Sequence, residues 1–492
     1  MTTHNIDRPP SNAEVLAGAM RPTRRRGRAL PQMPAAAAGY GGDLLRWRLL
    51  RTLLRSRWPQ FLIRGAALAG LGLAGLAGFI GTPVGSHNLG IVLVWIAWWS
   101  LLILLALPFL GRGWCSICPI PMPGEWLQQG ALVTPRPTGV GLRRPWPARF
   151  RNIWLQNVAF SVIAVCSAVV LTQPRVTAIV LIAFLGVATG VSLVFERRSF
   201  CRYLCPVGGF IGLYAQLAPV AVRVKDTATC AGHREKSCYR GSPDGAGCPW
   251  MLFPGSLAKN TYCGMCMECV RTCPHDNIAV TLRPFGADLW SPSGRRLDEA
   301  FKGFIMLGAA MVYSAVMLGP WGSLKLAAYD VGSLRWVMYA LAVLAFLYLA
   351  LPGLFLAAVG LGRALAGATQ PIGRAFVAFS YALVPLGLMA WIAFSLSFVS
   401  ASISYLWPTL SDPFGRGWDL FGTAQVAWQP YLSGSLPWLQ AAVLLCGLFW
   451  SSRMARRIAA EGDAGRAGTL RAAPVIVFCA LVTVAFMGLL IA

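Results

Sequence analysis

An α-helix needs roughly 20 consecutive apolar residues to cross about 30 Å of hydrocarbon. Stretches that meet or approach this length recur at 61–80, 89–110, 153–171, 176–195, 303–318, 336–359, 376–399, 436–450 and 473–492, and nothing else in the sequence restricts the fold as tightly. So many apolar runs cannot all be hidden inside a water-soluble core. The expected fold is mostly α: a polytopic helical membrane protein of about nine transmembrane helices. Composition agrees, because only 12% of the residues are charged, against roughly 25% in a soluble domain.

The net charge of +25 is compatible with nucleic acid, an acidic partner or anionic lipid. Placement decides between them. Arg46, Arg48, Arg51, Arg55 and Arg57 stand immediately before an apolar run, and there is no long soluble basic face to lie along a duplex. The connections at 112–151, 197–302, 363–374 and 453–471 are basic, whereas those around His87, Arg175, Asp330 and Asp412 carry few positive charges. This alternation follows the positive-inside rule. It predicts a bacterial cytoplasmic (inner) membrane protein with its N-terminus inside, its C-terminus periplasmic, the lipid bilayer as partner and no nucleic acid.

Four regions follow. Residues 1–58 read as a disordered basic cytoplasmic tail. Residues 59–220 hold four helices in two hairpins, each returning at a cysteine motif. Residues 221–296 are polar enough to fold outside the membrane as a small α+β bacterial ferredoxin-type cytoplasmic insert. Residues 297–492 hold five helices, with an aromatic-rich loop over 400–435 (Tyr405, Trp407, Phe414, Trp418, Phe421, Trp428, Tyr431) on the opposite face. That loop reads either as an interfacial aromatic belt or as a docking site for a periplasmic partner.

The most specific motif is Cys263-x2-Cys266-x2-Cys269-x3-Cys273-Pro274, the C-x2-C-x2-C-x3-C-P run of bacterial iron-sulfur proteins. A tight loop wraps three thiolates around one cube, and the fourth cysteine, leaving on a new turn, serves another. Paired C-x2-C units also build zinc sites, but four cysteines in so short a run followed by proline favour the cluster. Upstream lies a stretched version, Cys230-x2-His233-x4-Cys238, followed by Cys248-Pro249. By the crossed logic Cys263, Cys266 and Cys269 take Cys248, while Cys273 joins Cys230 and Cys238. That second set lacks a fourth cysteine, and His233 or a hairpin cysteine is a candidate.

The hairpin motifs, Cys115-x2-Cys118-Pro119 and Cys201-x3-Cys205-Pro206, offer four thiolates from repeat-related positions. Together they suit a further iron-sulfur cluster, another soft ion such as Cu(I), or no metal at all. The expectation is therefore one to three 4Fe-4S clusters. Cys166, Cys446 and Cys479 fall inside apolar runs and read as small buried hydrophobes. The only histidines are His4, His87, His233 and His275, none within an expected span, so no haem is expected. No P-loop or G-x-G-x-x-G is present, so no NAD site is expected. No charged residue is expected deep in helices three to nine.

At these residues the chain resembles the membrane polyferredoxin family that includes NapH, CcoG and the C-terminal half of NosR. The match spans roughly residues 60–290 and rests on Cys115 to Pro119, Phe200-Cys201-Arg202-Tyr203-Leu204-Cys205-Pro206-Val207-Gly208-Gly209 and the Cys263 to Pro274 run. The first hairpin motif is one residue shorter than the family's usual C-x3-C-P, and the upstream ferredoxin motif is stretched. The resemblance implies an electron-transfer subunit without its own substrate site, passing electrons between the quinone pool or a cytoplasmic donor and a membrane or periplasmic redox partner. The CcoG likeness offers an alternative, a maturation factor that reduces or hands over copper for a metalloenzyme, and a redox-sensing membrane anchor is a third reading. The residues ahead of the first span leave no room for the flavin-binding domain of NosR, and no flavin is expected.

Overall fold

The computed structural model describes residues 42–133, 139–462 and 465–491. The tail expected at 1–58 therefore lies outside the described residues up to position 41. Among the described residues, the part of that expected tail from Asp43 to Arg55 carries regular structure. Leu44–Arg46 forms a 3-10 turn capped by Asp43, and α1 follows at Arg48–Arg55. Leu45 is buried in a small core with Val222, Val224, Val270, Ile278 and Val280. The arginines around it masked one anchoring leucine.

Among the described residues seven helices are long and apolar enough to cross a membrane. The first two are α2 (Trp58–Ile80) and α3 (Leu89–Ile117). Within α3 the turns widen to π geometry over Leu101–Leu110, where Pro108 lacks the N–H that a regular helix requires. Next comes the short α4 (Met122–Gln129). The third expected span steps in mid-course: α5 (Trp154–Val165) and α6 (Ser167–Thr172) meet at Cys166, whose ψ of 7° leaves the helical range. Neither piece alone is long enough to cross. The next crossing-length helix is α7 (Pro174–Val194); α8 (Pro206–Tyr214) then leads away from the second cysteine motif.

A lobe follows, bounded by β1 (Val220–Val224) and β2 (Ile278–Leu282). These pair antiparallel with Val220 opposite Leu282, Val222 opposite Val280 and Val224 opposite Ile278. Both ends of the lobe are thus tied together, so the cysteine-bearing chain between them folds back over the sheet. The remaining crossing-length helices are α9 (Leu297–Met317), α10 (Leu334–Ala366) and α11 (Ile372–Ser411). A further helix, α12 (Leu436–Ala460), carries Arg453, Arg456 and Arg457 in its second half and is not among the seven. The last crossing-length helix is α13 (Arg466–Leu490).

Two smaller expectations change. Helix α9 begins at Leu297, ahead of the apolar run, and so takes in the buried Asp298, Glu299 and Lys302. Among the three expected buried thiols, Cys479 is fully buried but Cys446 is exposed on the outer face of α12 and Cys166 is half-buried. Helix α11 runs on into the loop expected at 400–435 and carries the exposed Trp407, and beyond it Trp418, Phe421, Trp428 and Tyr431 are exposed as well.

Candidate metal centres

The lobe's cysteines sit on tight turns. Asp226 caps the helix Thr227–Gly232 by accepting from the N–H of Ala228 (2.9 Å) and Thr229 (2.8 Å), which fixes Cys230. Cys238 lies on the one-turn helix Ser237–Arg240. In the 263–274 run, Met265 and Met267 hold left-handed backbone, with φ of 48° and 62°. That conformation costs an L-residue about 1–2 kcal/mol, and here it turns three consecutive thiols inward. Helix Glu268–Thr272 then carries Cys273 onto a new turn.

Cys248, Cys263, Cys266 and Cys269 line one enclosed apolar cavity, walled by Val222, Trp250, Leu252 and Leu257. Burial, aided by the neighbouring Cys248, pushes the Cys263 thiol up to about 11. Four bare thiolates could not share such a space without a positive partner. Cys273, Cys230 and Cys238 lie within electrostatic reach of one another on the other side of the run. Burial, then the charges of Cys273 and Cys230, push Cys238 to about 11. Asn277 serves this set twice, donating its side-chain amide to Cys230 Sγ at 3.2 Å and its backbone N–H to Cys273 Sγ at 3.4 Å. His233 is half-buried, its ring edge-on to His275 at 4.9 Å.

The two hairpin motifs converge. Cys115, Cys118, Cys201 and Cys205 lie within electrostatic reach of each other, and burial dominates the rise of the Cys201 and Cys205 thiols. The Cys205 thiol, raised to about 11, accepts the N–H of Gly208 at the start of α8 (3.2 Å). The Lys302 ammonium approaches Cys205 from α9 and donates to the carbonyl of Gln156 at 3.0 Å. Among the described residues no three or more His, Cys, Asp and Glu side chains are placed to hold a metal ion.

Sequence reasoning missed the charged framework between these sets. Arg112 (2% exposed) and Arg198 (3%) are buried, as is Trp250 (1%). Arg198 is paired with Glu125, which Arg64 also contacts. Burial alone would raise the Glu125 carboxyl, but the two guanidinium groups overcome it and bring it down to about 2. A signal was available: each arginine stands three residues before the first cysteine of its motif, in Arg112-Gly-Trp-Cys115 and Arg198-Ser-Phe-Cys201. Beside apolar runs, arginines also serve as topology charges, which hides this second role.

Residues 91–137 and 177–225 match the Fer4_5 family, a 4Fe-4S binding domain. The two matched stretches contain the two hairpin motifs, and 4Fe-4S clusters are the cofactor they indicate. The chain is 29% identical over 154 residues to the Escherichia coli (strain K12) protein named "Putative electron transport protein YccM", a match covering 28% of this chain and 39% of that relative's length. No solved structure matches the chain.

Proposed function

We propose that this chain is a membrane-bound iron-sulfur protein that passes single electrons between a quinol or a cytoplasmic donor and a partner redox system. The observation that carries the reading is the cavity lined by Cys248, Cys263, Cys266 and Cys269. It joins three cysteines of one run to a cysteine of another, as crossed ligation requires. These four would hold one cube. Cys230, Cys238 and Cys273 would hold a second, with His233 completing the set. Cys115, Cys118, Cys201 and Cys205 would hold a third at the end of the membrane helices.

When bound, the clusters supply sites that take up and release one electron at a time. The chain's own part is to exclude water with Trp250, Leu252 and Leu257, to donate N–H groups to sulfur from Asn277 and Gly208, and to balance charge with buried cations. Hydrogen bonds to sulfur and net charge set cluster potentials. The relative's name supports electron transport as the purpose of this chemistry.

In this reading the chain crosses the inner membrane nine times, with α5–α6 as a stepped span and α12 as the eighth. The N-terminus and the lobe face the cytoplasm and the C-terminus the periplasm, as the arginine distribution supports. Cys266→Ala tests the reading: the variant should lose iron and visible cluster absorption from the lobe and lose donor-linked reduction. An unchanged spectrum, or stoichiometric copper in place of iron and sulfide, would count against it.

A further inference from the structure

Arg112 and Arg198 are exchanged between the two cysteine motifs. Arg112 belongs to the first, yet its Nη2 donates to the carbonyl of Cys201 in the second (3.2 Å). Arg198 belongs to the second, yet its Nη1 donates to the carbonyl of Cys115 in the first (2.7 Å). Each therefore braces the other's hairpin. Both also point toward the lobe: Arg112 donates to the carbonyl of Thr261 (2.7 Å) and lies 4.3 Å from the centre of the Trp250 ring, and Arg198 lies 5.7 Å from it.

Trp250 is the lobe's contribution to the same place. It helps wall the cavity of Cys248, Cys263, Cys266 and Cys269, and its indole N–H is buried without an acceptor among the described residues. The tryptophan presses so close to Gly264 that a Cβ there would lie 2.0 Å from its Nε1. Electrostatics agree with the geometry. Arg198 is within reach of Cys201 and Cys266, and Arg112 within reach of Cys205 and Cys263, one thiol from each set in both cases.

Resting on the iron-sulfur reading above, we propose that Arg112, Trp250 and Arg198 form the junction between the hairpin centre and the lobe's inner centre. The two arginines are positioning residues that lock the sets together and raise the reduction potentials of both. A cube held by four thiolates is a net anion, so two facing cubes repel, and more so once reduced. Buried cations between them act through a low dielectric and offset that repulsion. The step served is electron transfer alone: one centre is oxidised as the other is reduced by the same electron, with no bond made or broken and no proton moved. Trp250 fills the gap with an aromatic ring rather than water.

The test is an EPR-monitored redox titration of the full-length protein in detergent, alongside iron and sulfide counts. Arg112 is the residue to change, because its partners are carbonyls and a ring, and removing its charge orphans no carboxylate. Arg112→Gln should lower the midpoint potentials of both centres, while Arg112→Lys, which keeps the charge, should stay closer to wild type. A shift confined to one centre, or none at all with iron content intact, overturns the junction. If Arg112→Gln fails to assemble, the fully reduced wild-type protein still decides. A hairpin-centre signal that is broadened and split supports adjacent centres, because the two lobe centres split each other in any case; an independent hairpin-centre signal refutes the junction while leaving the iron-sulfur reading in place. A wild-type protein without clusters removes both.

Discussion

The guanidinium of Arg198 closes on both carboxylate oxygens of Glu125, and the two side chains are only 3% and 8% exposed. Removing one partner of such a buried pair leaves a stranded charge, which costs about 3–5 kcal/mol. Glu125→Ala should therefore lower the apparent melting temperature of the detergent-solubilised protein clearly. Glu125→Gln, whose amide oxygen still accepts, should lower it less. Equal melting for all three proteins would show that the pair contributes nothing.

The same pair sets an acid limit. The folded-state carboxyl of Glu125 is held down to about 2, below its unfolded value of about 4.3. A depressed carboxylate contributes stability that is complete above the unfolded value and lost as pH falls through the folded one. Wild-type stability should fall progressively from about pH 4.5 toward pH 2, more steeply than that of Glu125→Gln. Parallel acid-unfolding curves would contradict the assignment.

Gly264→Ala should disturb the lobe out of proportion to one methyl group, because its Cβ would collide with the Trp250 indole at 2.0 Å. Iron bound by the lobe should drop, and adding Trp250→Leu should restore part of it by vacating the contact. An alanine variant with full iron content would disprove the tight fit.

Arg271 fastens the segment ahead of the first span to the lobe. It donates to the carbonyls of Leu54 (3.1 Å), Arg55 (2.9 Å) and Ser56 (3.0 Å), and pairs with Glu268, which also holds Arg57. Arg271→Ala should speed tryptic cleavage within residues 46–57 several-fold. Unaltered cleavage would mean that Leu45 and the ion pairs of Arg51, Arg55 and Arg57 hold the segment without it.

Much of this arrangement was legible in the sequence where local spacing determines it. The Cys263 to Pro274 run predicts three thiols on one loop and a fourth on a new turn, and Met265, Met267 and the helix Glu268–Thr272 build that shape. Apolar length predicts the seven long helices. What spacing cannot reveal is convergence. The step at Cys166 depends on how α5 and α6 pack, and the burial of Lys302 on α9 starting earlier than its apolar run. Arg112 and Arg198 carried a visible repeat, but their exchange across the hairpins exists only in three dimensions.

The central claim, that gathered thiols hold iron-sulfur cubes, is met most directly by counting acid-labile sulfide and iron in anaerobically purified protein. The account predicts equal amounts of each, in multiples of four per chain, with paramagnetic signals after dithionite reduction. Protein that is folded and monodisperse yet devoid of labile sulfide would contradict it.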